Sequence, residues 1–250
     1  MNKAIESFAS LLSFFTAIPM GKKYSLEEVA LNFYLVPFIA LITGSVFAIV
    51  IFLSSLVFNP IVYSSIGILS LALITRAQQI DALMDFCDGL LCFGNHEEKI
   101  RAMRDSAIGA GAMFGSIITL ILQIGAISMI PKYALISSAL SFELAGKYSM
   151  IFLSAIGKPL EDSSALRFCS SFKGYRGVIK FIVATSITYI SLFIILDYLS
   201  ALIIIASCFA VSLFLSIISN INFGGINGDV VGASNQISGT ITLLLISIIK

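Results

Sequence analysis

Residues 61–91 read IVYSSIGILSLALITRAQQIDALMDFCDGLL. The first half is an apolar run on the scale of a membrane-crossing helix, which needs roughly 20 residues for a hydrocarbon core of about 30 Å. The second half turns acidic without turning hydrophilic: Asp81, Asp85 and Asp88 are interleaved with Ala82, Leu83, Met84, Phe86 and Cys87. At about 100° per residue, positions i, i+4 and i+7 fall within an arc of about 60°, so the three carboxylates share one helical face. Three like charges a turn apart repel one another, and beside a bilayer they need water or a divalent cation between them. Two readings follow: a solvated, acidic helix end, or a set of hard oxygen ligands for Mg²⁺ or Mn²⁺, cations that also favour phosphate oxygens.

Composition extends the membrane reading to the whole chain. Of 250 residues, 58% are hydrophobic and 12% charged, with a mean hydropathy of +1.02. A soluble domain is about a quarter charged, so this chain has too little polar surface to cover a water-soluble globule. No linker or low-complexity stretch divides it, which predicts a single polytopic domain over 1–250. A net charge of +1 gives no reason to expect nucleic-acid binding. Cys87, Cys92, Cys169 and Cys208 lack paired-ligand spacing and read as small apolar fillers in a reduced compartment.

Seven stretches are apolar and long enough to cross: about 32–58, 61–80, 106–130, 133–157, 178–196, 199–219 and 231–249. Asn59-Pro60, Pro131 and Asp197-Tyr198 mark turns between them. Residues 7–19 are apolar but short, lack a signal-peptidase-like site, and precede the charged stretch 21–28. They read as an interfacial or re-entrant helix. The fold class expected is therefore an all-α integral membrane protein with about seven transmembrane helices plus that short N-terminal helix.

Folding the chain at those turns puts Lys22, Lys23, Arg76, Lys99, Arg101, Arg104, Lys158, Arg167, Lys173, Arg176 and Lys180 on one side, and only Lys132 and Lys250 on the other. The positive-inside tendency makes the basic side cytoplasmic. Loops 81–105, 158–177 and 220–230 then face the cytoplasm from a cell membrane.

Two further segments fall on that side. In Met103-Arg104-Asp105-Ser106-Ala107-Ile108-Gly109, Arg104 suits a phosphate, while Asp105 or Ser106 suits a cap for the following span. In Gly224-Gly225-Ile226-Asn227-Gly228-Asp229, Asp229 reads either as an N-cap or as part of an anion nest or metal site. Within the fourth span, Glu143 and Lys147 stand four apart, as a structural pair or a substrate contact. His96 reads as a solvated surface residue.

Together these blocks resemble the cobalamin synthase (adenosylcobinamide-GDP ribazoletransferase) family. Its D-G-x-x-D-x-x-D-G pattern corresponds to residues 81–89, M-[RK]-D-x-x-I-G to 103–109, and G-G-x-T-G-D-x-x-G-A-x-x-E to 224–236. Residues 15–19 (FTAIP) and 34–38 (YLVPF) fit as well. Departures are Ala82 for Gly, Gln79 where His is common, Ala107 and Ala110 for polar residues, Asn227 for Thr, Gln236 for Glu, and Lys147 near a family Arg.

The resemblance implies a Mg²⁺-dependent (or Mn²⁺-dependent) transfer of the adenosylcobinamide phosphate group from adenosylcobinamide-GDP to α-ribazole or its 5′-phosphate, releasing GMP. Asp81, Asp85, Asp88 and Asp229 are then the expected metal ligands. Asp81, Asp85, Asp88 and Asp105 are the expected catalytic acids, with Arg104, Lys147, Asn227 and Gly228 on substrate and phosphate. A homo-oligomer is compatible with this reading. Two rivals are a CDP-alcohol phosphotransferase, whose D-G-x-x-A-R block is broken here by Asp85-Phe86, and a small cation or metabolite transporter, which predicts midplane charges and an internal repeat.

Overall fold

The computed structural model describes residues 3–249, so Lys250 lies outside the described residues. Chain order is α1 (Lys3–Phe15), α2 (Leu26–Asn32), a 3₁₀ turn (Phe33–Leu35), α3 (Val36–Ser55), α4 (Pro60–Thr75), α5 (Gln78–Leu91), α6 (His96–Arg104) and α7 (Ala110–Met129). After a second 3₁₀ turn (Lys132–Ala134) come α8 (Leu135–Ile156), α9 (Ala165–Ser171), α10 (Gly174–Ile195), α11 (Tyr198–Phe223) and α12 (Gly228–Ile249). Among the described residues there is no strand, only an isolated parallel bridge between Pro159 and Ile226. Six helical stretches are long and apolar enough to cross a membrane: Leu26–Ser55, Ala110–Met129, Lys132–Ile156, Gly174–Ile195, Tyr198–Phe223 and Gly228–Ile249. The count becomes seven if α4 and α5 are taken as one broken span.

The turns behave as their residues dictate. Asn59 Oδ1 accepts the amide of Val62 at 3.1 Å, and Pro60 takes the first helical position of α4, where its missing N–H costs nothing. Asp197 accepts the amide of Ser200 at 2.9 Å to start α11. The short N-terminal run is helical over α1 and too short to cross. It tucks Leu11 and Phe15 into the protein, with Phe15 stacked on Phe33 at 6.1 Å between ring centroids and Phe33 against Phe168 at 4.6 Å.

At the centre stands α8, packed against α3, α11 and α12. Its Ser138, Ala139, Ser141, Ala145 and Ser149 are small, which lets neighbouring backbones approach closely without a hydrophobic driving force. The hydroxyls of Ser149 and Ser212 share a buried hydrogen bond of 2.9 Å across α8 and α11. Glu143 and Lys147 lie inside this packing at 2% and 0% exposure. The Lys147 ammonium is paired with the Glu143 carboxylate, which also accepts the Thr43 hydroxyl of α3. Of the two readings of this pair, the structure takes the structural one.

One expected span differs. The 61–80 run does not continue as one helix: α4 stops at Thr75 and α5 departs at 92°. The corner is made by Arg76 and Ala77, both in the left-handed region with φ of 54°. Each costs on the order of 1–2 kcal/mol for a residue with a Cβ. The Ala77 amide recovers an orphan carbonyl by bonding Ala72 O at 2.7 Å, and Ala17 N bonds Ile74 O at 2.7 Å from the segment after α1. The loop expected over 81–105 is therefore mostly helix: α5 lies crosswise to α4 as a shelf, and α6 follows it.

Candidate active site

On the shelf, Asp81 is exposed and Asp85 half-buried. The start of α12 brings Asp229 to them: burial, and then the charges of Asp229, Asp81 and Asp88, push the Asp85 carboxyl up to about 6. Asp81 and Arg104 are in turn electrostatic neighbours of Asp229. Acids from α5 and α12, 140 or so residues apart in sequence, thus share one field with a guanidinium at the end of α6.

The two helices meet closely because neither carries bulk at the crossing. A Cβ placed on Gly232 would lie 2.4 Å from the Ala82 Cβ, so the α5–α12 approach depends on that glycine.

Asp229 was one candidate for the N-cap of α12, and the structure gives that task to Asn227 instead. Asn227 Oδ1 accepts the amide of Val230 at 3.0 Å, while its Nδ2 donates to Asp229 Oδ2 at 2.8 Å. Asp229 is thereby held by its neighbour and left to face α5.

A second expected cap is also reassigned. Neither Asp105 nor Ser106 caps α7. Asp88 does so from α5, its Oδ2 accepting the Gly109 amide at 2.8 Å and its Oδ1 the Ala112 amide at 2.7 Å. A Cβ on Gly109 would lie 2.4 Å from Asp88 Oδ1, so this carboxylate fits only against bare backbone. Asp105 is exposed and accepts the Ala107 amide at 3.0 Å, closing the turn between α6 and α7.

α6 is lashed over the site from α11: Lys99 Nζ donates to Asn222 Oδ1 at 2.6 Å, and His96 Nε2 pairs with Ile221 O at 3.0 Å. His96 is exposed, as expected, but has this backbone partner. The 158–160 segment is docked beside α12 by Ile226 N on Lys158 O at 2.8 Å and Leu160 N on Ile226 O at 2.9 Å.

These elements enclose two hollows on either side of the acids. Asp81, Asp229 and Gly228 line a cavity of about 260 Å³ that runs inward between Phe14, Met150 and Phe168. A wider groove of about 510 Å³ is lined by Arg101, Arg104, Asp105, Glu161 and Asp162. So Asp81, Asp85 and Asp229 come together, with Asp88 beside Asp85, Asn227 and Gly228 behind Asp229, and Arg104 and Asp105 on the groove. Lys147 is not at this surface. Among the described residues, no three acidic, histidine or cysteine side chains gather closely enough to hold a metal ion alone. Sequence reasoning passed over Gln78, Ser164 and Phe168, which line the cavity; the signal available was two adjacent carboxamides in an apolar run just before Asp81.

A bundle of membrane-crossing helices whose acids converge on a cavity beside a groove of mixed charge defines a polytopic membrane enzyme. The chain matches the family described as cobalamin-5-phosphate synthase over residues 7–247, and it belongs to that family, a family of transferases in cobalamin biosynthesis. Curated relatives agree over full length. The Clostridium kluyveri protein named adenosylcobinamide-GDP ribazoletransferase is 27% identical over 100% of this chain and 99% of its own length. Proteins of the same name from Pyrococcus abyssi, 29% identical over 95% of this chain and 96% of their own, and from Methanococcoides burtonii, 25% identical over 99% and 94%, are similar in extent. No solved structure matches the chain.

Proposed function

We propose that this chain transfers the adenosylcobinamide phosphate group from adenosylcobinamide-GDP to a ribose hydroxyl of α-ribazole or its 5′-phosphate, at the cytoplasmic face of a cell membrane. The new P–O bond forms from the acceptor hydroxyl to the cobinamide phosphate, the bond to GMP breaks, and the hydroxyl proton passes to a carboxylate. The observation that carries this reading is the convergence of Asp81, Asp85 and Asp229 from two helices, with Arg104 acting on Asp229.

The acids that push the Asp85 carboxyl up belong to a donor set short of positive charge. They do not form a closed ligand cage. That suits Mg²⁺, which keeps waters and binds through one or two carboxylates plus substrate phosphates. Asp81 and Asp229, both on the cavity wall, are the residues that would hold it, and the ion supplies neutralisation of the pyrophosphate. Asp85, with its proton affinity raised to about 6, is matched to accept a proton near neutral pH. Arg104 faces the groove and suits phosphate oxygens.

The cytoplasmic assignment is supported by the helix directions. Every long connection and every basic cluster lies at the acid-bearing end, and the opposite turns are short, with Lys132 bound to Ser55 O at 2.8 Å. GMP release by purified protein, with both substrates and with or without Mg²⁺, tests the proposal. Wild-type turnover in Asp85→Asn or Asp229→Asn would overturn it.

A further inference from the structure

The cavity beside the acids holds polar atoms that the protein itself does not use. Gln79 is 3% exposed and lines the cavity, yet its Nε2 has no hydrogen-bond partner. The Oε1 of Gln78, in the same wall, is buried and likewise unpartnered. Buried polar groups are nearly always paired, so an orphan donor and acceptor side by side point to a ligand that completes them. The same cavity is lined by the apolar side chains of Phe14, Phe168 and Met150. At about 260 Å³ the space falls below the usual range for a whole ligand, roughly 300–1,000 Å³, and suits one part of one. No lysine or arginine lines it.

Resting on the transfer reading above, we infer that this cavity seats the benzimidazole base of the acceptor nucleoside, with Gln79 donating a hydrogen bond to its unprotonated ring nitrogen and Gln78 Oε1 accepting one from a ribose hydroxyl. Both substrates carry bases: the acceptor one, and the donor a guanine on its GDP end and an adenine on its adenosyl group, the latter held on the corrin. The guanine end of the donor brings phosphates, which need cations, and a hydrogen-bonding edge rich in N–H donors. The groove offers both complements, Arg101 and Arg104 for phosphate and Glu161 and Asp162 for N–H groups. A benzimidazole has no exocyclic polar group and one free ring nitrogen. It fits a slot of aromatic and thioether walls with a single required donor. Asp81 and Asp229 on the same cavity wall then lie beside the ribose that such a base carries, where the attacking hydroxyl must be. A corrin macrocycle is too large to enter.

The test uses the full chain in detergent micelles, with benzimidazole riboside as probe, followed by its own fluorescence. The chain has no tryptophan, and the emission of its eight tyrosines is subtracted with a protein-only titration. Saturable binding by wild type is expected, unaffected by excess guanosine. Gln79→Met, of similar size and without the donor, should weaken it about tenfold, the worth of one hydrogen bond. Gln79→His, which restores a ring N–H, should recover most of the loss. In turnover, Gln79→Met should raise the acceptor KM by the same factor and leave the donor KM unchanged. Riboside binding without GMP release would sink the transfer reading and keep the base site. GMP release with an acceptor KM indifferent to Gln79→Met, or displacement of the riboside by guanosine, would overturn the base site and keep the transfer.

Discussion

One carboxamide, that of Asn227, both caps α12 and holds the cavity-lining acid Asp229: Oδ1 takes the Val230 amide at 3.0 Å and Nδ2 gives to Asp229 Oδ2 at 2.8 Å. The two tasks are separable by substitution. Asn227→Asp keeps a cap acceptor and sets a carboxylate against Asp229. Thermal stability in detergent should change by less than about 1 kcal/mol, within the range of cap exchanges, while turnover falls at least tenfold. Equal loss of both would mean that the contact to Asp229 has no separate role.

Asp85 and Asp88 are three residues apart and should answer to amidation in opposite ways. Asp88→Asn removes a charge from the two bonds that start α7, and should cost about 1–3 kcal/mol of stability. Asp85→Asn removes a crowded, half-buried charge. It should leave stability unchanged or improved and lower kcat by about 10²–10⁴. Paired thermal melts and GMP-release assays decide the matter.

Asp85 also predicts a divergence between stability and activity with pH. Its folded-state proton affinity is raised to about 6 by burial and by Asp229, Asp81 and Asp88, above the ordinary carboxylate range. Protonation therefore favours the folded state, and the metal-free protein should gain stability as pH falls from about 6 toward the unfolded value near 4. Activity should fall over the same interval, because the proton occupies the accepting oxygen; Mg²⁺ held by Asp81 and Asp229 would offset the charges that draw that proton to Asp85. Raising Mg²⁺ should move the activity limb to lower pH while the metal-free melt stays put.

The α5–α12 crossing gives a compensation experiment. Gly232→Ala puts a Cβ 2.4 Å from that of Ala82 and should cost about 1–3 kcal/mol. Adding Ala82→Gly should return most of it. A double-mutant cycle with no coupling would show that the helices separate instead of clashing.

What the sequence made legible follows from the range of the interactions involved. Spans depend on local composition, and Asn59-Pro60 and Asp197 are local caps, so those boundaries read directly. The corner at Arg76-Ala77 carries no glycine, proline or asparagine, and its left-handed pair is imposed by packing, so 61–80 reads as one span. Asp88 was legible as one of three acids on a face, but not as the cap of a helix 21 residues on, because capping across elements leaves no spacing rule. The meeting of Asp85 with Asp229 had no spacing signal either; only the family pattern placed them in one site.

The shelf made by that corner also sets the depth of the chemistry. α4 has 16 residues and rises about 24 Å, several ångströms less than a typical hydrocarbon core of about 30 Å. A bilayer meets so short a flank by thinning locally, by snorkelling of flanking side chains or by association of a second protein surface. Where the leaflet thins, the acids would lie below the level of the surrounding lipid headgroups. The length of α4 thus ties the site to the thickness of the membrane around it.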